Sequence, residues 1–252
     1  ITRATRRFAA GYMVGAEYRF GRSEDTCSSD HDCRQTYPFD QSTERGPSDY
    51  DVTHALKIYG TWDLPILRDR TDLVGKLVGG WQLSGIVTAS SGYPWTPVFG
   101  GPLCQVTVAG GGVCPQRPVA YTGGALEDTS DEVFMREFGQ FPGGPLRYFT
   151  PPQGGRFDVP PRPGVGRNSF RGPRYFAVGA ALAKRFGLPR VPGLGDRLAL
   201  EVRANAFNLF NNLNLRPFTF NSPSTQIESR DFGRATGALA GRVVELQARL
   251  SF

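Results

Sequence analysis

Six segments of this chain alternate apolar and polar residues over lengths that ordinary globular strands rarely reach. In Arg242–Phe252, Val244, Leu246, Ala248, Leu250 and Phe252 point one way and Glu245, Gln247, Arg249 and Ser251 the other. Leu198–Phe210 sets Leu198, Leu200, Val202, Ala204 and Ala206 against Glu201, Arg203 and Asn205. Arg174–Phe186 aligns Phe176, Val178, Ala180, Leu182 and Phe186, with Lys184 as an exception. Gly79–Ser91 aligns Trp81, Leu83, Val87 and Ala89, with Ile86 out of pattern. Asp51–Leu64 and Phe8–Phe20 repeat the alternation. A period of two belongs to strands. Globular strands centre on about 5–6 residues, whereas a tilted strand crossing a bilayer needs about 9–11. The polar faces carry charge in mid-strand, at Glu17, Lys57, Glu201, Arg203, Glu245 and Arg249. In a soluble sandwich that face looks into water; in a membrane barrel it looks into the lumen while the apolar face meets lipid.

Composition agrees with strands and excludes several classes. The 32 Gly and 20 Pro, about a fifth of the 252 residues, disfavour a helical bundle. Thirty aromatics are too many for a disordered chain. No run of about 18 apolar residues marks a transmembrane helix. A mean hydropathy of −0.32 would indicate a soluble protein, except that barrel strands are only half apolar. The net charge of +6 comes from 26 Arg and 3 Lys scattered at turns and strand ends, not from the concentrated patch of a nucleic-acid binder. An opening Ile1, in place of an initiator Met or a signal peptide, predicts processing or a longer precursor.

The connections alternate in length. Pro65–Val78 and Gly187–Arg197 are short, and Gly21–Tyr50, Gly92–Pro173 and Asn211–Gly241 are long. If the strands run up and down, the long loops share one side, as in barrels with short periplasmic turns and long extracellular loops. That frame places the C-terminus in the periplasm. It also predicts two aromatic girdles, Phe8, Trp62, Trp81, Phe186 and Phe252 at one end and Tyr18, Phe20, Tyr175 and Phe210 at the other. The cysteines form two close pairs, Cys27/Cys33 and Cys104/Cys114, both in long loops. Their spacing does not fit a zinc site, even with His31 between the first two. They read as local disulfides of an exported protein, ahead of free thiols.

Chemistry-bearing motifs are scarce. The acidic group Glu127, Asp128, Asp131 and Glu132 lacks the ordering of a calcium loop, and Thr129 followed by Glu132 predicts instead a capped helix through Asp131–Phe138. The glycines at Gly110–Gly112, Gly164 and Gly166 lack the strand, helix and Lys of a phosphate loop. His31 and His54 stand near no nucleophile pattern, and no hydrolase or glycosidase signature occurs. The expectation is a non-enzyme without metal or cofactor.

Four runs carry a family likeness: GGWQLSGIVTASSGYPWTP (Gly79–Pro97), GRNSFRGPRYFAVGAALAKRF (Gly166–Phe186), RLALEVRANAFNLFNNLN (Arg197–Asn214) and FGRATGALAGRVVELQARLSF (Phe232–Phe252). They resemble, in order, the C-terminal barrel of TonB-dependent outer-membrane receptors of the Oar-like, carboxypeptidase-regulatory-like branch. Leu246, Ala248, Leu250 and Phe252 resemble the signal read by the barrel-assembly machinery. The resemblance implies an outer-membrane transporter whose barrel has about 22 strands and a plugged lumen, opened by the TonB–ExbB–ExbD complex. The chain departs from it in having about six strands and neither plug nor TonB box. The expectation is therefore an all-β antiparallel transmembrane barrel segment, residues 1–252 forming one region. Its partners are lipid, the rest of the barrel from the same precursor or another chain, and TonB only through a region outside this sequence. Candidate ligand contacts are the loop aromatics Tyr93, Trp95, Tyr148 and Phe149 and the lumen charges Glu201, Arg203 and Arg249. Two rival roles remain, a structural envelope anchor and a secreted β-sandwich binding module.

Overall fold

The computed structural model describes residues 1–28, 36–37, 39–67, 70, 72–100, 107–108, 111–112, 116–123, 148–153, 159, 161–189 and 198–252. Seven long strands make one sheet: β1 (Thr2–Ala9), β2 (Tyr12–Phe20), β3 (His54–Asp63), β4 (Trp81–Ser90), β5 (Tyr175–Gly187), β6 (Ala199–Phe207) and β7 (Val243–Ser251). Their order in the sheet is their order in the chain, and every pair is antiparallel. The sheet is thus an up-and-down meander. Among the described residues no strand pairs with the outer edge of β1 or β7.

The expectation of about six long strands resolves to seven. The segment read as Phe8–Phe20 breaks at Ala10 and Gly11, whose φ values of 53° and 82° form a two-residue turn. Such turns suit the twist of a hairpin. Thr2–Ala9 escapes a search for alternation because Arg3, Arg6 and Arg7 interrupt it.

Register carries one set of side chains across the sheet. Tyr12, Trp62, Leu83, Leu182, Ala204 and Leu246 stand opposite one another in a single row. Val14, Gly60, Gly85, Ala180, Ala206 and Val244 form the next, and Ala16, Ile58, Val87 and Val178 the one after. The other face holds Asp63, Gln82, Ala183, Arg203 and Gln247 in one row and Arg185, Glu201 and Arg249 in another. With a period of two, a single slip would exchange the faces, and no slip occurs from β2 to β7. The apolar face is exposed, Leu246 by 80%.

The girdles need one correction. Trp62, Trp81 and Phe186 share the apolar face at the short-link end, and Tyr18 and Phe20 share it at the long-loop end. Tyr175 pairs with Ser90 and so lies on the polar face; its neighbour Phe176 takes the girdle position. Phe210 and Phe252 lie beyond strand ends and are exposed. The side chain of Phe8 lies outside the described residues.

All three long loops leave the same end of the sheet: 21–53 joins β2 to β3, 91–174 joins β4 to β5, and 208–242 joins β6 to β7. The opposite end carries the turn at Ala10 and Gly11, the link 64–80 with its helix α1 (Leu73–Val78), and the link 188–198. Apart from Ala199, the buried apolar residues described all belong to the loops: Trp95, Val98, Phe99, Phe149, Val165, Phe170, Ile227 and Phe232. The predicted helix through Asp131–Phe138 and its acidic group lie outside the described residues.

Candidate functional site

The loops fold onto one another through short backbone pairings. Phe170–Arg171 pairs with Pro94–Trp95, and Ala120–Tyr121 pairs with Phe149–Thr150. Val98 exchanges backbone bonds of 2.9 Å with Thr225 and Ile227, joining loop 91–174 to loop 208–242. Each pairing is too short to be stable alone, and burial of aromatic surface supplies the rest. Trp95 lies 5.2 Å from Phe170, 5.3 Å from Phe218 and 5.6 Å from Phe232 between ring centres. Phe149 lies 5.6 Å from Phe232 and 4.8 Å from Tyr121. The tilted and edge-on arrangements are those that aromatic quadrupoles favour.

A polar layer binds loop 21–53 to this cluster. Arg117 and Glu44, their side chains 2% and 6% exposed, form an ion pair at 3.0 Å. Glu44 also accepts from the Thr36 amide and hydroxyl, and Arg117 donates to Thr36 and to the Val165 carbonyl. Burial lowers the Arg117 pKa, and the Glu44 charge opposes that shift. Arg167 reaches Asp25 at 2.6 Å and Ser28 at 2.7 Å. Arg171 pairs with Asp51 through its guanidinium and also donates to the Asp51 carbonyl. Asn168, at φ 54°, accepts from Thr96 and donates to Pro47 and Asp49; asparagine tolerates that backbone region. Partial burial pushes the Asp25 and Asp51 carboxyls up. Bonds from Ser28 and Arg167 to the first, and from Arg171 and the Ser23 amide to the second, outweigh it and hold both below the ordinary carboxylate value.

Between these loops opens a cleft of about 980 Å³. Its walls include Thr26, Ser28 and Tyr50 from the first loop, Tyr93, Trp95 and Arg167 from the second, and Phe218 and Phe220 from the third. Tyr50, Tyr93 and Phe220 are exposed there, while Trp95 is buried at its base. A cleft of this size, with ring faces beside hydroxyls, the guanidiniums of Arg117 and Arg167 and the carboxylates of Glu44 and Asp49, has the character of a small-molecule site. Among the described residues no cluster of His, Cys, Asp and Glu could hold a metal ion.

The predicted contacts therefore separate into three groups. Tyr93 and Trp95 line the cleft. Phe149 belongs to the aromatic cluster, against which Tyr148 packs, and neither lines the cleft. Glu201, Arg203 and Arg249 sit on the polar face of the sheet, Glu201 opposite Arg249. From Glu201 and Arg203 to the loop end of β6 at Phe207 the strand runs about 20 and about 13 Å, and none of the three charges lines the cleft. No local sequence pattern marks Arg117, Arg167, Asn168 and Arg171 as organisers. The run Gly166–Phe186 contained three of them as a likeness, without their roles. Cys27 lines the cleft; Cys33, Cys104 and Cys114, and with them both expected pairings, lie outside the described residues. Leu246, Ala248 and Leu250 project from the apolar face of β7.

A single all-antiparallel sheet, apolar on one exposed face and charged on the other, with its loops collected at one end, has the organisation of a barrel wall. No curated protein and no solved structure matches the chain. A protein family described as outer membrane beta barrel domain matches it over residues 1–245, and the chain belongs to that family: it is an outer-membrane β-barrel protein whose apolar face meets lipid.

Proposed function

We propose that this chain supplies wall and ligand-capture loops to an outer-membrane transporter of the TonB-dependent, Oar-like kind, in a transport role rather than a catalytic one. The observation that carries the reading is the cleft of about 980 Å³, walled by exposed aromatics from three loops at one rim of the sheet. The polar network around Arg117 and Arg167 gives that cleft a fixed shape, which lowers the ordering penalty of binding. In this reading the long loops are extracellular and stapled by Cys27–Cys33 and Cys104–Cys114, and the C-terminus is periplasmic. Leu246, Ala248, Leu250 and Phe252 serve as the barrel-assembly signal. Among the described residues the outer edges of β1 and β7 are unpaired, and unpaired backbone groups are costly in lipid, so in this reading further strands complete the barrel.

The test uses the full-length protein purified from outer membranes, passed over the immobilised periplasmic domain of TonB and examined by native mass spectrometry. Retention on TonB, with a co-purifying small molecule lost in a Tyr93→Ala/Phe220→Ala variant, is the expected result. A folded barrel that neither binds TonB nor carries such a molecule contradicts the proposal and favours a structural anchor.

A further inference from the structure

Helix α1 buries its glycine and displays its aliphatics. At about 100° per residue, Leu73, Val74, Leu77 and Val78 fall within an arc of about 140°, and all four are exposed, Leu73 by 74%. Gly75 faces inward, where a Cβ would lie 2.3 Å from the Arg70 carbonyl oxygen. Asp72 caps the helix, its carboxylate accepting from the Gly75 amide at 3.0 Å. The helix is thus pinned with its apolar side turned away from the protein. A helix this short needs such external contacts to persist.

Two contacts place that side. Trp81 and Lys184 stand opposite each other on the apolar face of the sheet. Trp81 Nε1 donates to the Leu77 carbonyl at 3.3 Å. Lys184, buried, donates through Nζ to the Gly79 carbonyl, and its ammonium lies 4.9 Å from the Phe186 ring centre. Both side chains project from the lipid-facing side, so the last turn of α1 lies on that side of the rim and not under the lumen. The aliphatics of α1, with Trp62 exposed at the end of β3 and Ile66 exposed in the same link, extend the lipid-facing surface of the wall past the strand ends.

We propose that α1 is a membrane-interface anchor. It lies in the headgroup layer at the short-link rim, with Leu73, Val74, Leu77 and Val78 reaching about 5–10 Å into the acyl boundary. Its occupant is phospholipid, because its apolar side is continuous with a face that already meets lipid. On the orientation proposed above, the leaflet is the periplasmic one.

The experiment places an environment-sensitive NBD dye on single cysteines at Leu77→Cys, Lys76→Cys and Ile58→Cys in the full-length protein. The protein is reconstituted in phosphatidylethanolamine–phosphatidylglycerol vesicles containing shallow brominated lipid. The Leu77 dye is expected to shift to the blue and lose emission to the bromines, with the Lys76 dye losing emission to aqueous iodide instead. A Leu77 dye quenched only by iodide overturns the proposal while the Ile58 dye remains lipid-quenched. If the Ile58 dye is also quenched only by iodide, the lipid-facing wall itself fails, and the anchor with it.

Discussion

In the sheet, Ile58, Leu83 and Leu182 turn outward, while Glu17, Lys57 and Arg203 occupy the other face. In the loops the arrangement reverses: Trp95, Phe99 and Phe149 turn inward, and the buried pair Arg117–Glu44 ties loop 91–174 to loop 21–53. One chain thus folds for two solvents. The wall gains nothing by hiding leucine, since acyl chains are as apolar as leucine. The loops face water and must build a core of their own, and they do so with rings and paired charges. Membership of an outer-membrane family explains the first half; the second half makes a fixed cleft above the barrel.

The largest expected effect lies in the loops. Arg117→Met leaves the Glu44 carboxylate buried without its partner and is expected to destabilise the loop assembly by about 3–5 kcal/mol. Phe149→Ala opens a cavity costing about 3–5 kcal/mol. Limited proteolysis checks both, with faster cleavage of the loops and no change in the strands. Comparable losses in the strands would show that the two regions are not separate.

The wall responds to a different insult. Ile58→Arg, near the middle of β3, is expected to cost about 2–4 kcal/mol in a bilayer, read from urea unfolding in vesicles. A near-neutral result would mean that this face meets water.

Acid should loosen the loops before the wall. Asp25 and Asp51 are held below the ordinary carboxylate value, so the stability they contribute is present above a pH of about 3.9 and is lost as pH falls through their lowered values. Loop proteolysis followed downward from pH 5 checks the sign. Smaller again is Tyr93→Ala, expected to weaken ligand capture by about 1 kcal/mol, roughly fivefold, through loss of one stacked ring. Smallest is the effect of Leu246→Ala on the loops, whose proteolysis is expected to stay unchanged, because Leu246 projects from the wall and is no part of the loop core.

The two regions also differed in how far the residues alone revealed them. The wall was legible because alternation is a local signal, and β2 to β7 follow it. Only β1 was missed, where three arginines mask the period. The cleft was not legible. Its fixed shape depends on Arg117 meeting Glu44 across 73 residues and Arg171 meeting Asp51 across 120, and no local pattern encodes such a pairing. Tyr93 and Trp95 were found because they stand together just after β4. Residue type alone suggests grouping Glu201, Arg203 and Arg249 with them, but these lie on the strands and do not line the cleft.

The three tryptophans of the chain test the central claim most directly, since Trp62 and Trp81 belong to the lipid-facing wall and Trp95 to the loop core. In variants keeping one tryptophan each, reconstituted in vesicles of brominated phospholipid, Trp62 and Trp81 are predicted to lose emission and Trp95 to keep it. Emission retained at Trp62 and Trp81, or lost at Trp95, would contradict a wall in lipid beneath loops folded in water.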